Sequence, residues 1–301
     1  MNRQEWLKER KNYLGGSDIG AICGINKYKT ALDVYMDKTS DEIKEVNNNY
    51  THWGNILENV VANEYARVTG NKVVEPIGTI YHPEYSFLAA NIDRFVNGGD
   101  YILECKTVSN FAASDWGQEG TDEIPESYKC QVAYYAGIAD VSKVDIAVLI
   151  GGNDFRIYRY MRDRKLESQL FQIAINFWNK HIIPRKAPEA RNANDLDILY
   201  PESNGSQIEV CDSVLRDIQR LKELKAQAES IEYEAKGLKE NIKKYMKDNE
   251  LLVDASGNEF ATWKTQKARM SLDTKALQLE HQDIYQQYLY ECKAPRVLRL
   301  K

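Results

Sequence analysis

The chain lacks every cysteine arrangement that would make it a disulfide-stapled or metal-thiolate protein. Its five cysteines (Cys23, Cys105, Cys130, Cys211, Cys292) are scattered, odd in number and form no Cys-x-x-Cys. That argues against a disulfide framework, structural zinc and an iron–sulfur cluster, and suits small buried thiols in a reducing compartment. The four histidines (His52, His82, His181, His281) show no ligand spacing, so each reads as structural. No apolar run approaches the length of a membrane span, and the opening Met1-Asn2-Arg3-Gln4-Glu5-Trp6 is not that of a signal peptide. No membrane role is expected, and the cytoplasm is the default location. Excess positive charge is missing too: the net charge is −5. A chain-wide polyanion-binding surface is thereby disfavoured, whereas a local basic groove is not.

What is present is a globular composition, with 43% hydrophobic and 28% charged residues in 301. That length accommodates one large domain and a smaller one, or two of ordinary size. The most informative segment reads Asn91-Ile92-Asp93-Arg94-Phe95-Val96, then Asn97-Gly98-Gly99-Asp100, then Tyr101-Ile102-Leu103-Glu104-Cys105-Lys106. The Asn/Gly-rich turn predicts a hairpin. Side chains alternate along a strand, so Glu104 and Lys106 share one face and Leu103 and Cys105 the other. With Asp93 opposite, two carboxylates and an ammonium converge, and the acids repel unless a divalent cation neutralises them. Oxygen ligands without thiol or imidazole suit Mg²⁺ or Mn²⁺ rather than zinc. Glu-x-Lys alone says little, because it occurs six times. Only the copy at Glu104 lies on an apolar strand behind a turn and an aspartate. A surface hairpin with a cross-strand charge pair is the plainer alternative.

Short helices are expected over residues 3–38, around the elbow Leu14-Gly15-Gly16-Ser17-Asp18-Ile19-Gly20, with Ser17 or Asp18 as a helix cap and Thr30 as another. Ser40 to Asn49 reads as a loop. Thr51 to Thr69 reads as a helix with Trp53, Ile56, Leu57, Val60, Val61, Tyr65 and Val68 on its packed face, ended by Gly70-Asn71. Strands are expected near 72–81, 86–90, 92–96, 101–108, 144–150 and 155–161, with helices from Pro125 to Ile138 and over 164–180. Strands between helices imply an α/β core with a central mixed sheet. A domain boundary falls near Pro201–Ser206. Beyond it, Val210 to Asn249 carries Leu215, Ile218, Leu221, Leu224, Ile231, Leu238, Ile242 and Tyr245 at steps of three or four. That pattern fits one long amphipathic helix or a helical hairpin broken near Gly237. A small hairpin turning at Asp254–Asn258 follows, then short helices and a basic strand, Arg296–Lys301.

In this order the segments resemble the YqaJ-type viral recombinase nucleases, relatives of lambda exonuclease in the PD-(D/E)xK superfamily. The likeness covers about residues 5–180. It rests on Arg10-Lys11-Asn12-Tyr13-Leu14-Gly15-Gly16-Ser17-Asp18-Ile19, Trp53-Gly54-Asn55-Ile56-Leu57-Glu58, Asp93 with Glu104-Cys105-Lys106, and Gln131-Val132-Ala133-Tyr134-Tyr135. One position departs: Ile92 stands where the superfamily usually has proline, which shapes the strand but binds no metal. The resemblance implies a restriction-endonuclease-like core over 1–200 and a mainly helical extension over 206–301, serving assembly or partner contact. It implies Asp93, Glu104, the Cys105 carbonyl and Glu58 as ligands, with two ions per site. Lys106 is similar to the lysine that orients the attacking water, and Gln131 to the glutamine that positions water and Lys106. Arg10 and Ser17 occupy the place of a 5′-phosphate pocket, and an arginine fork beside a hydroxyl at a helix start suits an anionic end.

The implied activity is a Mg²⁺-dependent 5′→3′ exonuclease on double-stranded DNA ends, producing 3′ single-stranded tails. The implied partners are DNA ends, a single-strand annealing protein and further copies of the chain in a ring such as a trimer. The setting is a phage or prophage in a bacterial host. Two alternatives stand beside it: a structure-specific or end-trimming nuclease of the same superfamily, and a non-catalytic DNA-binding assembly module.

Overall fold

The protein is described by a computed structural model covering residues 3–42, 48–292 and 294–301. The chain divides into two compact units, Met1–Leu199 and Tyr200–Lys301. In the first, helices α1 (Arg3–Arg10), α2 (Gly16–Ile22), α3 (Ala31–Thr39) and α4 (Asn49–Thr69) precede the strands. Strands β1 (Val73–Val74), β2 (Ile80–Tyr81), β3 (Ala89–Ala90), β4 (Arg94–Val96) and β5 (Tyr101–Val108) follow. Then come α5 (Glu126–Ile138), β6 (Lys143–Ile150), β7 (Asp154–Met161), α6 (Arg164–Phe177) and α7 (Ala193–Leu199).

Five strands form one sheet in the order β1-β4-β5-β6-β7. β5 and β6 run parallel, joined by the crossover that holds α5, while every other pair is antiparallel. The expected mixed sheet flanked by helices is present. Period-two alternation sorts its residues between two cores. Ile102, Val144, Ile146 and Val148 pack with Ile19 of α2, Val132 of α5 and Leu170 of α6. Leu103, Cys105 and Ala147 pack with Val61, Ala62 and Tyr65 of α4 on the opposite side. Inner strand β6 is buried along nearly its whole length, which explains its almost wholly apolar sequence; its one acid, Asp145, is bonded to Tyr65 and Arg159.

The structure corrects several local expectations. The stretch expected as one strand over 72–81 is two short ones, β1 in the main sheet and β2 paired with β3. Pro76 lies between them and has no N–H to continue a ladder. Only Ala89–Ala90 of the 86–90 stretch is strand. On α4, Trp53, Ile56, Val60 and Val68 are exposed, and the packed stripe is Val61, Ala62 and Tyr65. Helix α2 is capped by Gly15, not by Ser17 or Asp18, although the Asp18 side chain accepts from the Gly15 N–H at 3.1 Å. Thr30 does cap α3, and Gly70 ends α4 in the left-handed conformation. Helix α6 stops at Phe177 and continues as a wider turn, Trp178–Ile182. Of the loop expected over Ser40–Asn49, residues 43–47 lie outside the described ones.

The second unit holds α8 (Asp212–Met246), the hairpin β8 (Leu251–Val253) and β9 (Glu259–Thr262), α9 (Thr274–Glu280) and α10 (Gln282–Gln287). It is the mainly helical extension with a small hairpin that was expected. Helix α8 runs through Gly237 without a break. A glycine inside a helix costs about 1 kcal/mol, which the long flanking helix-forming runs offset. The basic tail, expected as a strand, pairs with no strand among the described residues.

Candidate active site

The site begins with the β4–β5 hairpin. Gly98 and Gly99 take φ of +85° and +113°, backbone states that residues with a Cβ rarely adopt, so the turn closes tightly. The pairs Val96–Tyr101, Phe95–Ile102 and Arg94–Leu103 set the register. One step further along that register, Asp93 stands beside Glu104. Asp93 Oδ2 accepts the Cys105 N–H at 2.7 Å, which fixes its carboxylate across the hairpin.

Glu104 is 3% exposed. Its Oε1 accepts from Lys106 Nζ at 2.5 Å and from Gln131 Nε2 at 2.6 Å. Lys106 also donates to Gln131 Oε1 at 3.2 Å and lies 4.8 Å from the Tyr128 ring centre. Gln131 comes from α5, the helix packed on this face of the sheet, and is itself buried. Strand alternation therefore places Glu104 and Lys106 together, and the crossover helix brings the amide that joins them.

The electrostatics follow from this crowding. Burial pushes the Asp93 carboxyl well above its ordinary value, and Glu104 and Glu58 push the same way; Lys106 and the Cys105 amide oppose them. Burial works against the Lys106 ammonium, but Glu104 and Asp93 outweigh it and hold its pKa above the usual lysine range. Burial, then Asp93 and Glu104, raise the Cys105 thiol, so only its main chain is available to an ion.

Glu58 arrives from α4. Its Oε1 accepts from Arg94 Nη1 at 2.8 Å, and Arg94 also bonds the Asp93 carbonyl and Asn59 Oδ1. The arginine is 6% exposed, so it ties α4 to the start of β4 from inside. It was not among the residues singled out by sequence, yet an arginine on a largely apolar strand needs a partner, and that signal was there.

At the other end, Arg10 Nη2 donates to Ser17 Oγ at 3.0 Å, and its guanidinium stacks 5.2 Å from the Trp6 ring centre. Behind this pair Asp18 is wholly buried, 2.8 Å from Lys29 Nζ and 3.1 Å from Lys38 Nζ. Lys38 also donates to the Arg10 carbonyl at 2.9 Å. Burial opposes ionisation of Asp18, but Lys38, Lys29 and Arg10 prevail and hold its carboxyl far below the usual range. The cluster fixes the backbone that carries Arg10 and Ser17.

All seven residues chosen from sequence (Arg10, Ser17, Glu58, Asp93, Glu104, Lys106, Gln131) and Cys105 line one cavity of about 470 Å³. Asp93, Glu104, Lys106 and Gln131 form its hydrogen-bonded centre, while Glu58 is joined to it through Arg94. Among the described residues, no three His, Cys, Asp or Glu side chains gather closely enough to enclose a metal by themselves. The donor set nevertheless fits a hard cation. Asp93, Glu104 and Glu58 each use one carboxylate oxygen in the bonds above, leaving the second without a hydrogen bond among the described residues. The burial and carboxylate repulsion that together raise the Asp93 pKa are what such a cation offsets. Mg²⁺ in particular binds through one or two carboxylates and completes its shell with water and phosphate oxygens.

Residues 5–142 match the YqaJ-like viral recombinase domain family. The uncharacterized protein YqaJ of Bacillus subtilis (strain 168) is 36% identical over 294 residues, spanning 95% of this chain and 90% of its own. The chain belongs to the YqaJ-like family. Among solved structures, an alkaline exonuclease of Laribacter hongkongensis aligns with a TM-score of 0.49 at 16% identity, covering 61% of this chain and 97% of its own. A phage-related exonuclease of Haemophilus somnus 129PT aligns with a TM-score of 0.45 at 15% identity, covering 57% and 96%. No helix among the described residues is long and apolar enough to cross a membrane.

Proposed function

We propose that the cavity hydrolyses phosphodiester bonds at double-stranded DNA ends, proceeding 5′→3′ and leaving 3′ single-stranded tails. Family membership supports a nuclease role in recombination. The observation that carries the chemistry is the bonded centre: Lys106 lies between Glu104 and Gln131 on the wall where Asp93 faces Glu104. Divalent cations, Mg²⁺ or Mn²⁺ and two per site, would supply Lewis-acid charge at the phosphate, held by Asp93, Glu104, the Cys105 carbonyl and Glu58.

The remaining work falls to this chain's own groups. Lys106 orients the attacking water and offers N–H to the negative charge that grows on the phosphate oxygens. Gln131 accepts from Lys106 and donates to Glu104, so it sets the ammonium's position rather than touching the phosphate. Arg10 and Ser17 receive the terminal 5′-phosphate, where a guanidinium fork matches a phosphate better than a point charge does. Residues 1–200 form the nuclease part and residues 206–301 the part that serves assembly or partner contact. In a phage- or prophage-bearing bacterium, a single-strand annealing protein takes up the tails in the host cytoplasm.

Linear duplexes labelled at either end, incubated with Mg²⁺ or with EDTA beside a covalently closed circle, test the reading. Loss of the 5′ label first, a spared circle and no reaction in EDTA are expected. A cleaved circle would replace end-dependent attack with an endonuclease, and activity in EDTA would remove the metal from the proposal.

A further inference from the structure

Helix α8 is 35 residues long, roughly 50 Å at 1.5 Å per residue, and within its own unit it buries only Met246. From Leu221 onward its apolar residues follow strict alternating steps of three and four: Leu221, Leu224, Ala228, Ile231, Ala235, Leu238, Ile242, Tyr245. That is a heptad seam, with Leu221, Ala228, Ala235 and Ile242 at the first core position and Leu224, Ile231, Leu238 and Tyr245 at the second. Leu224, Ile231 and Leu238 are 45%, 67% and 57% exposed. A 3.5-residue period is the signature of a helix wound on another helix, not of one lying on a globular core. Such a stripe left in water marks an interface.

The flanking charges say which helix covers it. In a parallel pair of these helices, Arg220 faces the partner's Lys225 and cancels the gain of Glu234 facing the partner's Lys239, and the two alanine positions meet each other in loosely filled layers. In an antiparallel pair centred between Glu229 and Ser230, the layers become Leu221 with the partner's Leu238, Leu224 with the partner's Ala235 and Ala228 with the partner's Ile231. Each layer recurs through the two-fold axis, and large residues pack on small in the inner four. The same register brings Lys225 to the partner's Glu232 on both sides of the axis, with Gln227 beside the partner's Glu234 and Arg220 beside the partner's Asn241. Sliding one heptad either way brings Lys225 against the partner's Lys225, or against the partner's Lys239. Like charges at these flanks disfavour the wrong register, while the opposite pairs support the right one.

We infer that α8 pairs antiparallel with α8 of a second copy of this chain, in the register set by Lys225 and the partner's Glu232. The interface is isologous, since each contact is made twice by one two-fold axis. It predicts even-numbered assembly, which a three-membered ring alone does not give. The inference stands whether or not the cavity cleaves DNA.

Sedimentation of the full chain across a concentration series reads the assembly directly. Expected is a dimer, or a larger assembly with an even number of copies, that Ile231→Glu with Leu238→Glu dissociates into units half as large while far-UV circular dichroism and the cooperative melt remain. The charge pair then tests orientation. Lys225→Glu and Glu232→Lys should each weaken association about tenfold or more, and the double variant should restore it. In a parallel pair, Lys225→Glu would instead tighten association by removing the clash with Arg220. A monomer at every concentration, an odd-numbered assembly indifferent to the seam variants, or tighter association of Lys225→Glu would overturn the inference.

Discussion

The Cys105 main-chain N–H donates to the Asp93 carboxylate at 2.7 Å. The bond holds a carboxylate in a place where burial and the Glu104 and Glu58 carboxylates disfavour its charge. A strained electrostatic arrangement of this kind is retained at a site of function and costs stability. In EDTA, Asp93→Asn should therefore melt at a higher temperature than the native protein, by the equivalent of about 1 kcal/mol, while DNA cleavage is lost. The sign with pH follows. Because the folded pKa is raised, the penalty is absent below the unfolded value and complete above the folded one. The stability advantage of Asp93→Asn should grow as pH rises through that window, as calorimetry in EDTA would show; an advantage that is flat or shrinking with pH would contradict it.

Lys106→Ala leaves Glu104 buried without its 2.5 Å partner. Activity should fall by about 10²–10³-fold, the scale of losing one group that stabilises charge at a transition state. Single-turnover cleavage separates this from weaker binding: the rate at saturating protein should drop, with DNA affinity changed far less. Retention of the native single-turnover rate would remove Lys106 from the chemistry.

Much of this site is readable in the sequence because it lies on local patterns. The turn at Asn97–Asp100 and alternation along β5 are enough to bring Asp93, Glu104 and Lys106 together, since both depend on residues close in the chain. Gln131 and Glu58 came only through the family resemblance, because which face of α5 or α4 meets the hairpin is a tertiary matter. The α4 stripe is narrower than its spacing suggests for the same reason. Of the expected face, Val61 and Tyr65 do meet the sheet, whereas Trp53, Ile56 and Val60 do not. Arg94 shows the limit most clearly: its neighbours along the chain give no hint of Glu58 or Asn59, which lie more than thirty residues away.

Arg94 makes its own prediction. It bonds the Glu58 carboxylate from a buried position, as groups behind a metal ligand commonly do. Arg94→Lys keeps the charge but loses the fork that reaches Glu58 and Asn59 together. Metal affinity should weaken about 10–100-fold, read by the Mg²⁺ concentration needed for half-maximal cleavage. An unchanged metal requirement would assign Arg94 to the α4–β4 joint alone.

The Asp18 cluster predicts an acid limit. With its folded pKa far below the unfolded one, Asp18 contributes stability that is fully present above about pH 4 and is lost as pH falls further. Asp18→Asn takes the buried carboxylate from Lys38, leaving it only the partly exposed Asp37 carboxylate at 3.2 Å, and should cost about 3 kcal/mol by urea denaturation at neutral pH. Its stability should in turn fall less steeply below pH 4 than that of the native protein. Arg10→Ala is the surface counterpart. It should remove the preference for 5′-phosphorylated over 5′-hydroxyl ends, and equal loss on both would withdraw the phosphate from Arg10 and Ser17.

Gly16 links the two halves of the cavity by having no side chain. A Cβ there would sit 2.4 Å from Tyr135 Cε1, closer than real contacts allow, and 3.0 Å from Gln131 Cγ, a tight contact. Tyr135 must therefore shift, and because its hydroxyl accepts from Gln131 Nε2 at 3.4 Å, the shift reaches the amide that holds Glu104 and Lys106. Gly16→Ala should cost about 1–3 kcal/mol, as overpacking usually does. It should also slow cleavage while Asp93, Glu104 and Lys106 are all retained. Comparison with Gln131→Ala distinguishes the route. If Gly16 acts through the glutamine, the double variant Gly16→Ala with Gln131→Ala should be little slower than Gln131→Ala alone. Additive losses would mean that the new methyl group disturbs the site by another path, through the turn that carries Ser17.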